Sequence, residues 1–313
     1  MINEPTPSLR HPLMQSFRKQ WVLWLMILPT ICFFILFSYL PMAGIYFAFS
    51  RFNFQGGLFG SPFVGLDNFQ YLFKSGILWN LTRNTILYNI AFILVGNFVQ
   101  MVCALFFNEL RKKWFTKTTQ SVIFLPYFVS MVLVGVFSYN LLNIDNGFIN
   151  SALKALGMAT YNFYIKADAW PPIIVAVNVW KGLGYGSIIY LSALTSIDPG
   201  YYEAARIDGA TKWQQVRCIT WPMLKPTLMI LIMFSLGGIL KGQFDLFYQL
   251  IGKNGLLYST TDIIDTYVYR SLTVNFDIGM GSAAGVYQSV FGLILVLTVN
   301  TIVRKVNDEY ALF

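Results

Sequence analysis

Long apolar runs alternate with short polar segments along this chain of 313 residues. A helix rises 1.5 Å per residue, so roughly 20 apolar residues cross a hydrocarbon core of about 30 Å. Six runs reach that length, which predicts an all-α membrane protein with six transmembrane helices. The predicted spans are residues 21–46, 84–108, 120–142, 171–197, 222–246 and 283–303.

Basic residues between the runs predict the orientation, because short loops rich in lysine and arginine stay in the cytoplasm. The loop RKKWFTK at residues 111–117 carries four such residues. If it lies inside, both termini are cytoplasmic. Residues 1–20 and 306–313 then form tails, and residues 21–305 form the transmembrane domain. The first run lacks a small-residue cleavage site, so we expect it to stay in the protein and not to be a signal peptide.

Composition agrees with this assignment, since 56% of the residues are hydrophobic and 12% are charged. The net charge of +8 is explained by cytoplasmic loops, and we expect no nucleic-acid partner. Cys32, Cys103, Cys218 and the single histidine, His11, lack the spacing of metal ligands, so we expect neither a metal site nor a disulfide. No GxxxxGK[ST] loop occurs. We therefore expect no cofactor in this chain, and any ATP and Mg would bind to a partner.

A polar segment at residues 198–221 separates the fourth and fifth runs. Asp198 followed by Pro199 predicts the start of a short helix, because aspartate accepts hydrogen bonds from free amides and proline fits the first helical position. Gly209 is expected to end this helix, since glycine readily takes the left-handed conformation of a helix C-terminus.

A second short helix is predicted to follow at once. Thr211 and Gln214 are spaced as a capping box, and we expect Pro222 to end this helix and begin the fifth span. The pair has two interpretations. It is an amphipathic loop on the membrane surface, or, because Ala204 and Ala205 leave one face almost free of bulk, an element that docks into a groove of another protein.

The spacing of this segment resembles a known motif. Glu203-Ala204-Ala205, three residues, Gly209, nine residues, Ile219, one residue, Trp221 and Pro222 follow the pattern EAA-x3-G-x9-I-x-L-P, with tryptophan where leucine is usual. That pattern is the EAA loop of the membrane subunits of type I ABC importers. The resemblance covers residues 17–305. PTICFFILFSYLPMAGIYFAFSRFNF, GLDNFQYLF and NTILYNI resemble the oligosaccharide branch, especially Gram-positive subunits that import pectin-derived or other complex saccharides.

The resemblance implies a type I ABC importer permease fold with a cytoplasmic coupling helix pair. The implied ATPase-coupling residues are Glu203, Ala204, Ala205, Asp208, Gly209 and Pro222. The implied partners are a second, homologous permease, two cytoplasmic ATPase subunits that bind ATP and Mg, and an extracytoplasmic solute-binding protein. The chain itself would be no enzyme. It would move a saccharide across the plasma membrane of a Gram-positive bacterium by alternating access.

Polar residues inside the spans are candidates for saccharide contacts. Asn178, Gly182 and Tyr185 lie on one helical stripe and resemble the N-x3-G-x2-Y pattern of the maltose-importing permease, which lines its sugar site there. Ser235 and Gln243 fall near other site positions of that family. Alternatively these residues only join neighbouring helices, or the second permease holds most sugar contacts.

Other polar residues in the spans have structural explanations. The stripe formed by Asn89, Gly96, Asn97 and Gln100 is interpreted mostly as helix packing, and Lys241 is expected to pair with Asp245 four residues later. The rival function is an ATP-independent secondary transporter or channel, which predicts paired intramembrane charges or an inverted repeat of broken helices. A membrane enzyme would need histidine or paired carboxylates in the spans.

Overall fold

The computed structural model describes residues 21–110 and 112–306, and most of these residues are helical. Within these ranges no β-strand occurs, and one isolated antiparallel bridge joins Ser50 to Phe63. The cytoplasmic tails predicted at the two ends lie outside the described residues, apart from Val306, which ends the last helix.

The described residues contain twelve helices of eight or more residues. They are α1 (Trp21–Phe49), α2 (Asp67–Lys74), α3 (Ile77–Glu109), α4 (Lys113–Phe128), α5 (Met131–Leu142), α6 (Phe148–Ala155), α7 (Trp170–Thr195), α8 (Pro199–Ile207), α9 (Lys212–Leu236), α10 (Phe244–Ile251), α11 (Ile264–Thr273) and α12 (Ile278–Val306). The helical turns Gly57–Gly60, Ala167–Ala169, Gly255–Leu257 and Tyr258–Thr261 lie between them.

Five unbroken helices are long and apolar enough to cross a membrane: α1, α3, α7, α9 and α12. A sixth crossing exists only if α4 and α5 are counted as one bent span. The number of six spans and the cytoplasmic position of both termini therefore stay predictions.

The third predicted span is not one helix, so the uninterrupted helix expected at residues 120–142 is wrong. The axes of α4 and α5 differ by 97°. Val129 and Ser130 between them are extended, and the Ser130 hydroxyl accepts a hydrogen bond from the Leu133 amide, which starts α5. Pro126 lies in the last turn of α4, where its ring cannot donate a hydrogen bond.

The helix that carries the fifth predicted span, α9, differs from residues 222–246 at both ends. Pro222 does not end a helix, because α9 runs from Lys212 through a wide π-helical stretch, Val216–Thr220, into the apolar part of the span. The Trp221 amide bonds to the Val216 carbonyl five residues back, which closes the wide turn just before the proline.

At its other end α9 stops at Leu236, ten residues before the predicted end at residue 246. Gly237 and Gly238 follow, and glycine is a poor helix former. The Gly242 amide then donates to the Asp265 carboxylate (2.7 Å) and not to a helical carbonyl. The chain therefore turns at residues 237–243 before α10 begins.

Helices α3 and α7 form the most extensive contact in the described structure, and α4 packs on the other side of α7. A core cluster joins α3, α5, α7 and α10 through side chains such as Phe92, Val134, Trp170 and Phe247. By contrast, none of the residues Trp21–Phe34 in α1 is buried against the described chain.

Close packing of α4 on α7 requires glycine at position 184. A Cβ atom there would lie 2.5 Å from Phe124 Cα and 2.6 Å from the Ile123 carbonyl oxygen. We expect Gly184→Val to lower the free energy of unfolding by about 1–3 kcal/mol, because the backbone of α4 must move. Thermal unfolding in detergent measures this. Gly285→Ala is the control, since nothing lies within 4 Å of its added methyl group, and equal melting of the two variants would contradict the prediction.

Candidate functional site

A cavity of about 370 Å³ lies between α3, α7 and the end of α9. It brings together all five residues predicted as saccharide contacts: Asn178, Gly182, Tyr185, Ser235 and Gln243. The three residues of the α7 stripe face this cavity together, as their spacing predicts. Ser235 lies in the last turns of α9 and Gln243 just before α10, so the turn after α9 brings Gln243 back to the cavity. Whether these residues bind a saccharide stays a prediction.

The polar stripe of α3 also lines the cavity. The Asn97 side chain donates to the Ile93 carbonyl (2.7 Å) and accepts from the Tyr190 hydroxyl (2.7 Å), and both bonds are buried. Gln100 donates to the Gly182 carbonyl (3.2 Å). These bonds confirm that Asn97 and Gln100 join α3 to its own turns and to α7, although both residues also line the cavity.

Asn178 and Gln243 contact each other across the cavity. The Asn178 amide donates to the Gln243 side-chain oxygen at 2.5 Å. Among the described residues, the Asn178 oxygen and the Gln243 amide nitrogen have no further partner. One acceptor and one donor group therefore remain for a ligand, which matches the two-way hydrogen bonding of a sugar hydroxyl.

Tyr185 provides an aromatic face. Its ring is 52% exposed and stacks on Tyr127 of α4, with ring centroids 5.2 Å apart and an interplanar angle of 12°. Phe234, which also lines the cavity, is 79% exposed. The Ser235 hydroxyl donates to the Leu231 carbonyl (2.8 Å) and can only accept from a ligand. Sequence reasoning missed Tyr127, because its contact with Tyr185 depends on how α4 packs.

Lys181 stabilises the break between α4 and α5. Its ammonium donates to the carbonyls of Pro126 (3.3 Å), Tyr127 (3.1 Å) and Val129 (2.5 Å). The last carbonyls of any helix lack intrahelical partners, so a cation at this position satisfies them. The same contacts place Tyr127 beside Tyr185. Sequence reasoning missed this role, since the residues are more than fifty positions apart.

We expect Lys181→Met to destabilise the chain by about 1–3 kcal/mol, because the freed carbonyls lose a charged donor. The loss should appear as a lower melting temperature of the purified protein. Lys181→Arg retains a cationic donor and is expected to recover most of the loss. Equal melting temperatures for Lys181→Met and the wild type would contradict the role of the ammonium.

Asp265 of α11 fixes the turn that carries Gln243. Its carboxylate accepts from the Gly242 amide (2.7 Å) and from the Gln288 side chain (3.2 Å). Burial raises the pKa of the Asp265 carboxyl, and the hydrogen bonds from Gly242 and Gln288 oppose this increase. The carboxylate thus connects α11 and α12 to the edge of the cavity.

The polar segment after α7 has the local structure that its sequence predicts. The Asp198 side chain accepts from the Gly200 amide (2.9 Å) at the start of α8. Gly209 has a φ of +77°, its amide donates to the Arg206 carbonyl (3.1 Å), and the next amide donates to the Ala205 carbonyl (2.9 Å). These two hydrogen bonds together form a Schellman motif.

The capping box at the start of α9 is also confirmed. The Gln214 amide donates to the Thr211 hydroxyl (3.3 Å), and the Thr211 amide donates to the Gln214 side chain (2.7 Å). Within the segment, the Tyr202 and Thr220 hydroxyls are 3.0 Å apart. Lys212 connects the segment to the rest of the chain through an ion pair with Glu109 at the end of α3.

Apolar side chains are exposed around this turn. Ile207 is 86% exposed and Trp213 is 73% exposed. The predicted coupling residues Glu203, Ala204, Asp208, Gly209 and Pro222 are also exposed, while Ala205 is half-buried. Exposed apolar groups of this size mark a contact with another protein or with lipid.

No group of three histidine, cysteine or acidic residues suited to a metal occurs in the part of the chain that the structure describes.

Comparison with known proteins identifies the class. Residues 93–308 match the family described as binding-protein-dependent transport system inner membrane component. The match covers more than half of the chain, which therefore belongs to this family. The fold is that of a type I ABC permease, and the chain is a multi-pass permease of the cell membrane.

Particular relatives extend this result. The chain is 35% identical to the polygalacturonan/rhamnogalacturonan transport system permease protein YteP of Bacillus subtilis (strain 168) over 291 residues, which are 93% of this chain and 90% of YteP. It is 33% identical to protein LplB of the same organism, covering 93% of this chain and 91% of LplB. The solved structure of a bacterial ABC transporter involved in the import of the acidic polysaccharide alginate contains a chain with a TM-score of 0.84 and 33% identity, covering 95% of this chain and 100% of that chain.

Proposed function

We propose that this chain is one permease subunit of an ATP-driven importer for oligosaccharides or polysaccharides, including pectin-derived ones. The observation that carries the proposal is the cavity in which Asn178, Tyr185 and Gln243 meet, because it combines an exposed aromatic ring with a free hydrogen-bond donor and acceptor. Similarity to YteP, whose name states polygalacturonan and rhamnogalacturonan, and to the importer of the acidic polysaccharide alginate supports the substrate class.

In this proposal the segment 198–221 couples the ATPase subunits to the transmembrane helices. Helix α8 and the turn at Gly209 dock into a cleft of a cytoplasmic ATPase, with Glu203 and Gly209 at the contact. Closure of two ATPase subunits on ATP and Mg then swings the permease helices as rigid bodies from an inward-facing to an outward-facing state. The exposed side chains of Ile207 and Trp213 support this docking surface over a purely polar loop.

The remaining partners follow from the same cycle. An extracytoplasmic binding protein releases the saccharide into the space between this chain and a second, homologous permease, and ATP hydrolysis resets the complex. The proposed topology has six crossings with both termini in the cytoplasm, counting α4 and α5 as one span. The proposed location is the plasma membrane of a Gram-positive bacterium.

Purification of the tagged chain from its host tests the proposal. We expect a second permease and two ATPase subunits to copurify, and the complex in proteoliposomes to import a saccharide only when ATP and the loaded binding protein are present. If no ATPase copurifies or reconstitutes, the importer assignment fails.

One observation fits the alternative function as well. An ATP-independent secondary transporter predicts broken helices, and the pair α4 and α5 is one. Here the break is held by Lys181, and family membership favours the ATP-driven cycle. Saccharide uptake by the chain without any ATPase would support the alternative.

A further inference from the structure

The cavity between α3, α7 and α9 contains one charged side chain. Lys241 lines it together with Asn89, Gln100, Asn178 and Gln243, and no aspartate or glutamate is among the described residues that line it. Lys241 is exposed in this cavity, so its positive charge is available to an anionic group that enters it. The chemical class of such an anion is therefore informative.

No acidic residue in the described part of the chain forms an ion pair with Lys241. Three ion pairs occur among the described residues, and none includes Lys241. The expected pairing with Asp245 is wrong, because Lys241 precedes α10, which begins at Phe244, and the i,i+4 geometry of a helix does not exist there.

Asp265 is the acidic group whose charge Lys241 affects, but its carboxylate is already used. It accepts from the Gly242 amide and the Gln288 side chain. Burial raises the pKa of the Asp265 carboxyl, and the positive charge of Lys241 is one of the effects that oppose this increase. The ammonium itself remains exposed to the cavity.

We propose that Lys241 binds a carboxylate of an anionic saccharide, such as a uronic acid unit, inside this cavity. The saccharide supplies an anionic partner that the described residues do not provide. The free groups of Asn178 and Gln243 bind hydroxyls of the same sugar, and Tyr185 packs on its ring. This assignment rests on the proposed saccharide function and adds the residue that distinguishes acidic from neutral sugars.

The test compares two probes of the same length, trigalacturonate and its methyl ester, whose carboxyl groups are neutral. The full complex with its binding protein is reconstituted in phosphatidylcholine vesicles, where no anionic headgroup competes for Lys241. Uptake is measured for the wild type, Lys241→Gln and Lys241→Arg. Lys225→Gln is the matched control, because it removes one exposed lysine from α9 outside the cavity.

We expect Lys241→Gln to raise the trigalacturonate concentration for half-maximal uptake by about tenfold, because one charge-assisted hydrogen bond is lost. Uptake of the methyl ester is expected to change much less, so the preference for the acid decreases. Lys241→Arg should keep the preference, and Lys225→Gln should match the wild type. The binding protein is the same in every sample, so a changed preference arises in the permease.

Two results overturn the assignment. In one, Lys241→Gln takes up trigalacturonate as the wild type does. In the other, it loses acid and ester uptake equally, which indicates a merely structural role. Failure of the saccharide function is distinguishable, because the wild-type complex would then import neither probe, and the Lys241 assignment would fall with it.

Discussion

Gly209→Val is expected to abolish ATP-driven transport, whereas Gly209→Asn is expected to stay close to the wild type. Gly209 has a φ of +77°, a conformation that costs most L-residues about 1–2 kcal/mol and a β-branched residue more. Nothing lies within 4 Å of an added Cβ atom. The effect of valine is therefore conformational and not steric. Asparagine tolerates the left-handed region and is the matched control.

The conformational penalty acts where α8 meets α9. Relaxing the turn breaks the amide bonds to the Arg206 and Ala205 carbonyls and changes the angle at which α8 presents Glu203. We expect the valine variant to fold in the membrane, since the segment is exposed, but to lose ATPase subunits on copurification. Substrate-stimulated ATP hydrolysis at the wild-type rate would contradict the coupling role.

Glu203→Ala distinguishes a role of this residue in ATPase docking from a role in the stability of the chain. The Glu203 carboxylate contacts Arg206 at 4.0 Å, and both side chains are more than 60% exposed, so this pair contributes little to folding. We expect unchanged melting of the isolated chain and reduced ATPase binding by the complex. Reduced melting with normal ATPase binding would instead assign Glu203 to the fold.

Local signals in the sequence predict the segment at residues 198–214 well. The Asp198 cap, the left-handed turn at Gly209 and the capping box of Thr211 and Gln214 are each formed by residues no more than five positions apart. Their hydrogen bonds depend on the adjacent backbone and hardly on the rest of the fold. Pro222 is the exception, because a π-helical turn earlier in the chain accommodates it.

The ends of the spans could not be predicted from apolar runs alone. Residues 120–142 are mostly apolar and carry no charge. The break after Phe128 nevertheless depends on Lys181 of another helix, whose ammonium satisfies the free carbonyls. In the same way, the turn after Leu236 is fixed by Asp265, more than twenty residues later. Hydropathy records which residues avoid water but not which distant side chains bond to the backbone.

The residues of the cavity could be predicted from the sequence only in part. The stripe of Asn178, Gly182 and Tyr185 follows from helical periodicity and the resemblance, and the structure places all three on one wall. Tyr127, which stacks on Tyr185, and Lys241, which lines the cavity, belong to segments whose positions depend on the breaks. The residues of one helix face were therefore predictable from their spacing, while the positions of Tyr127 and Lys241 were not.

Enlarging the side chain at position 182 should block the saccharide path. The nearest atom to a Cβ at Gly182 is the Gln100 side-chain nitrogen at 3.5 Å, an ordinary contact, so the helix accepts a side chain there. Replacing glycine by alanine within a helix is itself favourable by roughly 0.5–1 kcal/mol. We expect Gly182→Ala to melt at or above the wild-type temperature and to retain most uptake.

Gly182→Leu extends the same series into the cavity of about 370 Å³, between Gln100 and Tyr185. We expect saccharide uptake in proteoliposomes to fall by at least about tenfold, the ratio that corresponds to 1.4 kcal/mol, with normal copurification of the ATPases, because the coupling surface is unchanged. The comparison of alanine with leucine distinguishes two explanations for a loss of uptake, a folding defect and steric exclusion of the saccharide. A folding defect would already lower the melting temperature of the alanine variant, whereas steric exclusion begins only with leucine. Uptake by the leucine variant at the wild-type rate would show that the saccharide passes elsewhere, between this chain and the second permease, and the cavity would then be a packing defect and not a binding site.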